Sequence, residues 1–193
     1  MTDIPTITTP RLVLRAHQIA DYDTFCALWS DPDVIRYIGG KPSTAEATWQ
    51  RLMHRAGMWH YMGFGFLAIE ERATGRFIGE AGFHEVRRDM TPSLVGTLET
   101  GWVLLPEFHG KGYAHEAVAA MIAWAQIHHP TLDMTAIIAP ENGASLKLAA
   151  RLGFEETART EYHGEVVVLL HGWPYDIHTY VDVAPRLAAA GYR

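Results

Sequence analysis

One stretch narrows the folds open to this chain more than any other. Residues 98–105, Leu-Glu-Thr-Gly-Trp-Val-Leu-Leu, read as a strand halted by Pro106. From Ala114 an apolar stripe of Ala117, Val118, Met121, Ile122 and Ala125 recurs at helical spacing until His128-His129-Pro130. Between them lies Pro106-Glu107-Phe108-His109-Gly110-Lys111-Gly112-Tyr113. A strand passing through a glycine turn into an amphipathic helix is a unit of α/β layers. The turn also suits an anion: glycines let the backbone approach closely, and unpaired amides at a helix start point outward with the favourable end of its dipole. His109, Lys111 and His115 bring positive charge. A plain strand-to-helix turn needs the same glycines, so both readings stand.

The rest of the chain supplies partners for this unit. Arg11-Leu12-Val13-Leu14-Arg15 alternates as a half-exposed strand. Asp21 can cap a helix carrying Phe25, Leu28 and Trp29, which Asp31-Pro32-Asp33 ends. Ser43 or Thr44 opens a second helix with Trp49, Leu52, Met53 and Ala56 on the expected buried face. Residues 64–70 and 76–83 flank Ala73-Thr74-Gly75 as a hairpin. Residues 134–139 form a short strand, and 142–152 a helix with Leu146, Ala149, Ala150 and Leu152 inward. Strands at 155–162 and 165–170 turn at His163-Gly164. The order β-α-α-β-β-β-α-β-α-β-β implies an α/β fold with a mixed sheet.

Composition bounds the function classes. The 193 residues, 48% of them hydrophobic and 20% charged, fit one globular domain with room for an appendage. A net charge of −6 gives no general attraction to nucleic acid or anionic membrane, and favours cationic substrates over polyanions. A single cysteine, Cys26, excludes an internal disulfide framework and a cysteine zinc cluster, and its helical position assigns it to the core. With no basic, apolar leader at Met1-Thr2-Asp3-Ile4-Pro5, the expectation is a soluble cytoplasmic protein. Eleven histidines include no His-Glu-x-x-His, so no metal site is expected.

Two phosphate motifs fail at Gly110-Lys111-Gly112. A dinucleotide fingerprint needs glycine at His115, and the triphosphate loop needs its lysine before Ser or Thr. What His109-Gly110-Lys111-Gly112-Tyr113-Ala114 resembles is the pyrophosphate segment of the GNAT N-acetyltransferase superfamily, in its RimJ/RimL-like branch, with histidine where that family has arginine or glutamine. A second family element appears as Asn142-Gly143-Ala144-Ser145 through Gly153-Phe154, and the likeness covers roughly residues 9–169.

The resemblance implies a mostly antiparallel central sheet with splayed middle strands and flanking helices, over a domain spanning 1–170. It implies direct attack of an amine, on a protein N-terminus or a small molecule, on the thioester of acetyl-CoA as cosubstrate. Pyrophosphate would rest on the amides from His109 through Gly110, Lys111, Gly112 and Tyr113 to Ala114. The pantetheine arm would pair with backbone near Val103, Leu104 and Leu105, and Asn142 would bond the cofactor. Glu99, on the strand before the turn, is the candidate base, tuned upward by partial burial, with Glu80 and His84 as alternatives. The family's usual tyrosine for the departing thiolate is replaced by Ala149, which leaves Ser145 as candidate donor. Tyr37 and Trp59 are candidate acceptor contacts, and the assembly is expected to be a monomer or homodimer.

The end of the chain resembles another family. Residues 166–193, with His171-Gly172-Trp173-Pro174 and a closing Ala190-Gly191-Tyr192-Arg193, are similar to the opening of an α/β-hydrolase. No nucleophile elbow follows, so a working esterase is excluded. Residues 171–193 are expected to form an appended helix rather than a domain. The alternative to an acetyltransferase is a non-catalytic acyl-CoA-binding module, suggested by Ala149 and the irregular tail.

Overall fold

A computed structural model describes residues 4–172. Of the appended helix expected over 171–193, residues 173–193 lie outside the described residues. The elements run β1 (Ile7–Thr8), β2 (Leu12–Arg15), α1 (Tyr22–Ser30), α2 (Pro32–Ile35), α3 (Ala45–Met62), β3 (Phe66–Glu71), β4 (Arg76–His84), β5 (Leu98–Leu104), α4 (Tyr113–His128), β6 (Met134–Ile138), α5 (Gly143–Arg151), β7 (Phe154–Tyr162) and β8 (Glu165–Gly172). Among the described residues they make one eight-stranded sheet in the order β1-β2-β3-β4-β5-β6-β8-β7. Every neighbouring pair is antiparallel except β5 and β6. This is the expected mixed, mostly antiparallel α/β fold. No helix among the described residues is long and apolar enough to cross a membrane.

Local chemistry accounts for the element ends. His163 and Gly164 both take positive φ, 53° and 82°, the geometry that closes a tight hairpin between β7 and β8. Thr44 caps α3 by accepting from the Ala47 amide, and Gly63 ends it at φ 73°. Asp31-Pro32 does more than stop α1: the Asp31 carboxylate accepts from the amides of Asp33 and Val34, and Pro32 at the first position starts α2. Asp21 does not cap α1 through its side chain. Its oxygens instead take Arg15 Nη1 and Nη2 at 2.9 and 2.8 Å and the Gln18 amide at 2.8 Å, because a guanidinium offers a stronger, bidentate partner.

α4 crosses β2, β4 and β5, and Ala117, Val118, Met121 and Ala125 of its stripe are fully buried. On α5 only Ala149 of the expected inward set is completely buried, and Ala150 faces out. The buried face of α3 differs from expectation. Trp49 and Met53 are each 42% exposed and Ala56 is exposed, whereas Thr48, Leu52, Arg55, Met58 and Trp59 are buried. The helix is rotated because Arg55 must meet Glu80, the fully buried carboxylate of β4. Arg55 Nε and Nη2 donate to Glu80 at 2.8 and 2.6 Å, and His17 Nε2 lies 3.1 Å from the same group. Cys26 is half-buried rather than core. β8 runs past the expected end at Leu170, with His171 opposite Thr135 and Gly172 opposite Met134, so the histidine and glycine of the hydrolase-like stretch serve as strand.

Burial alone would raise the Glu80 pKa, but attraction to Arg55 and the contact with His17 outweigh it, and the carboxyl falls from 4.5 to about 2. A depressed folded pKa contributes stability that is complete above pH 4.5 and lost as pH falls toward 2. Glu80→Ala, which strands the Arg55 charge in the core, is expected to cost about 3–5 kcal/mol in urea unfolding, with much of it recovered in the paired Arg55→Met, Glu80→Leu chain. The acid sensitivity between those pH values should shrink in both variants.

Candidate active site

The parallel pairing of β5 and β6 lasts only two positions, Leu98 with Met134 and Glu99 with Thr135. Its base is pinned by Leu98 N donating to the Asp133 carbonyl at 2.8 Å and by a 2.9 Å bond between the Thr97 and Thr135 hydroxyls. Beyond Glu99 the strands part: β5 follows β4 as far as Leu104 opposite Gly79, while β6 follows β8 to Ile138 opposite Val168. The edge of β5 from Thr100 to Leu104 therefore has no strand partner on the β6 side among the described residues. Because β5 and β6 are parallel, the helices that follow them, α4 and α5, both begin at the wide end of this fork. Glu99 sits at its closed end. Five residue steps, about 17 Å at strand rise, separate Glu99 from Leu104.

At the wide end, a short 3-10 turn over Pro106–Phe108 leads into the glycine segment. Gly110 and Gly112 take φ 72° and 79°, a region that side chains rarely occupy. No side chain caps α4 at Gly112, and the amides from Gly110 to His115 have no backbone partner among the described residues. The side chains of the segment are committed to the fold. His109 Nε2 lies 2.8 Å from the Leu104 carbonyl, the Lys111 ammonium stands over the Phe108 ring, and the Tyr113 hydroxyl donates to Glu71 at 2.6 Å. Arg11 braces the turn from β2's side: Nη1 donates to the Lys111 carbonyl at 2.8 Å, Nε meets Glu116 at 2.6 Å, and the guanidinium covers Tyr113. What the segment presents outward is backbone N–H, which suits a pyrophosphate. Asn142 caps α5 by accepting from the Ser145 amide at 3.1 Å, which leaves its NH2 group to bond a ligand. The Ser145 hydroxyl makes no hydrogen bond among the described residues, and it lies at the start of α5, away from the closed end. Ala149 is fully buried.

The closed end is charged. Sheet register places Glu80, Gly82 and His84 of β4 on the same face as Val103, Gly101 and Glu99 of β5. Phe66 lies over this face; a Cβ on Gly101 would stand 2.7 Å from the tip of its ring, so a side chain there would have to push the ring aside. Glu99 is 6% exposed. Arg88, from the segment joining β4 and β5, donates Nε and Nη2 to its two oxygens at 2.7 Å each, and His84 Nε2 lies 2.9 Å from Oε1. Arg88 Nη1 also donates to the Tyr162 hydroxyl at 3.1 Å, with that ring 5.0 Å from the guanidinium. Burial raises the Glu99 pKa, yet the His84 and Arg88 contacts override it and bring it to about 2. The expected upward tuning is thus reversed, because a guanidinium and an imidazole converge on the carboxylate.

The structure brings Glu99 together with His84 and gathers the glycine segment with Asn142 and Ser145 at the other end of the fork. Tyr37 and Trp59 make no hydrogen bond to Glu99, His84 or the glycine segment among the described residues. Tyr37 is 38% exposed in the turn after α2, and Trp59 is 2% exposed with its indole N–H spent on the Phe66 carbonyl at 2.9 Å. Arg88 and Tyr162 carry no sequence signal: one lies in an unpatterned polar segment, the other ends a strand 74 residues away. Among the described residues no cluster of three or more His, Cys, Asp or Glu side chains could hold a metal ion.

Comparison with known proteins agrees with this geometry. Residues 11–155 match the family described as acetyltransferase (GNAT) domain. The uncharacterized N-acetyltransferase p20 of Bacillus licheniformis is 30% identical over 152 residues, covering 78% of this chain and 83% of that protein. A solved structure described as a GNAT-family acetyltransferase from Bordetella pertussis superposes with TM-score 0.79 at 31% identity, over 88% of this chain and 99% of its own. An acetyltransferase from Agrobacterium tumefaciens gives 0.77 at 28% identity, over 89% and 95%. The forked sheet, the glycine segment at its mouth and these matches together establish that the chain belongs to the GNAT acetyltransferase family.

Proposed function

We propose that this protein moves an acetyl group from acetyl-CoA to a primary amine by direct attack, in the cytoplasm, the amine being a protein N-terminus or a small molecule. The observation that carries the reading is the fork with partnerless amides at its mouth and an ionised cluster at its base. Among proteins sharing the fold, one solved with CoA is a RimL protein acetyltransferase and one solved with CoA and spermine is a spermidine N-acetyltransferase; at 14% and 18% identity they bear on the fold alone.

Bound acetyl-CoA would supply the thioester carbonyl that the amine attacks. The amides of the segment from His109 to Ala114 would hold its pyrophosphate, the open backbone of Val103, Leu104 and Leu105 its arm, and the Asn142 NH2 group an arm carbonyl. Ser145, whose hydroxyl makes no hydrogen bond among the described residues, would bond the arm near that mouth, which leaves the role of donor to the departing thiolate expected of it unsupported. An alkylamine with pKa near 10 is mostly protonated at neutral pH, so a proton acceptor is needed. Glu99, held at about 2, is a poor one. His84 is better suited: its Nε2 contact with Glu99 favours the hydrogen on that nitrogen and leaves Nδ1 as acceptor. Glu99 then acts as a positioning residue that fixes the imidazole.

Calorimetry tests the cofactor half. Acetyl-CoA should bind at micromolar concentration, and Gly112→Val, which strains the left-handed turn and crowds the amides, should weaken it roughly tenfold or more. No binding to the native chain at high micromolar concentration would sink the proposal.

Kinetics tests the chemistry. His84→Gln should lower kcat roughly 100-fold or more with acetyl-CoA affinity retained. Binding of acetyl-CoA without turnover on a broad amine panel would instead favour the non-catalytic module, the reading to which the buried Ala149 points.

A further inference from the structure

Arg88 occupies a setting built for a cation. Its guanidinium meets a buried carboxylate through two bonds, a phenol oxygen through a third, and the face of the Tyr162 ring. Only one group in this cage comes from outside the sheet, and it is Arg88 itself: Glu99 is on β5, His84 on β4 and Tyr162 on β7, whereas Arg88 is on the segment between β4 and β5. Its side chain is 20% exposed, so it reaches the cage from the solvent side. It can withdraw without breaking a strand pairing, since residue 88 belongs to no strand or helix.

We infer that Arg88 holds the place of the acceptor's cationic group, and that the acceptor is an alkylamine that arrives protonated and displaces Arg88 from Glu99. The proposal deepens the acetyltransferase reading and rests on it for the reaction, though not for the binding. Exchange of one cation for another keeps Glu99 paired throughout. A neutral, weakly basic arylamine that pushed Arg88 aside would leave a buried carboxylate with no cation and only the His84 contact, a costly state that selects against it. The displaced position lies at the closed end of the fork, beside His84, whose Nε2 touches the same carboxylate oxygen that Arg88 Nη2 holds.

The test is calorimetric titration, without acetyl-CoA, of the native chain, Arg88→Ala and the double variant Arg88→Ala, Glu99→Gln. The probes are methylguanidinium, which copies the arginine head group, and 1,4-diaminobutane. Both should bind Arg88→Ala at least about tenfold more tightly than the native chain, and the gain should vanish in the double variant. Equal affinity in native and Arg88→Ala chains, or a gain that survives Glu99→Gln, overturns the proposal. Binding of methylguanidinium without diaminobutane also overturns it, since the cage would then fit only arginine. Should Arg88→Ala fail to fold, Arg88→Lys keeps the charge but loses the two-bond grip; it should bind diaminobutane more tightly than the native chain, and no gain overturns the proposal. Acetyl-CoA titrated into the same proteins reports on the acetyltransferase reading separately: cation binding without acetyl-CoA binding would sink that reading and leave the cation cage standing.

Discussion

The site depends on one interrupted pairing. Parallel strands β5 and β6 share hydrogen-bonded register at two positions and then follow different neighbours, β4 on one side and β8 on the other. Had they stayed paired, the Thr100–Leu104 edge would be consumed and the amides at the start of α4 would face a closed sheet. Parallel direction matters equally. It sends the chain out of both strands at the same end, so that two helix starts, one bare of caps and one capped by Asn142, flank a single opening. A cofactor with a phosphate end and a reactive end can lie along such an edge, with its ends addressed by different chemistry.

Electrostatics on this face of β4 and β5 repeats one arrangement twice. Glu80 is held by Arg55 and His17, and Glu99 by Arg88 and His84. In both, burial alone would push the carboxyl upward, and the converging cation and imidazole pull it down. The difference lies in where the arginine is mounted. Arg55 rises from the buried face of α3 and ties that helix to the sheet, so its pair is structural. Arg88 comes from a connecting segment and its pair lies at the base of the fork, where a substrate must arrive if the chain works as proposed.

The fold was largely legible because its signals are local. The stripe of α4, the glycines ahead of it, the hairpin turns at Gly75 and His163-Gly164, and the Thr44 cap are each set by residues within a few positions of one another. Periodicity misjudged α3, because Trp49 and Met53 are apolar yet exposed while Arg55 is charged yet buried. A pattern of hydrophobicity has no means of anticipating a buried ion pair with a residue on another element. The same limit applies at the site. Glu99 was readable as a candidate from its strand, but the direction of its pKa was not, since Arg88 and His84 reach it only through sheet register and a chain crossing.

The sequence by itself determined the mouth of the fork: glycines at 110 and 112, Asn142 ahead of α5, and the strand that leads to them. What the mouth offers is backbone amide, and backbone geometry follows from local residue types. Only the tertiary structure decided the chemistry of the closed end. Whether a carboxylate is a base or the counter-ion of a guanidinium depends on what stands within about 3 Å of it. Here those neighbours are His84, set opposite Glu99 by sheet register, and Arg88, from the segment joining β4 to β5, with Tyr162 of β7 holding the guanidinium from behind.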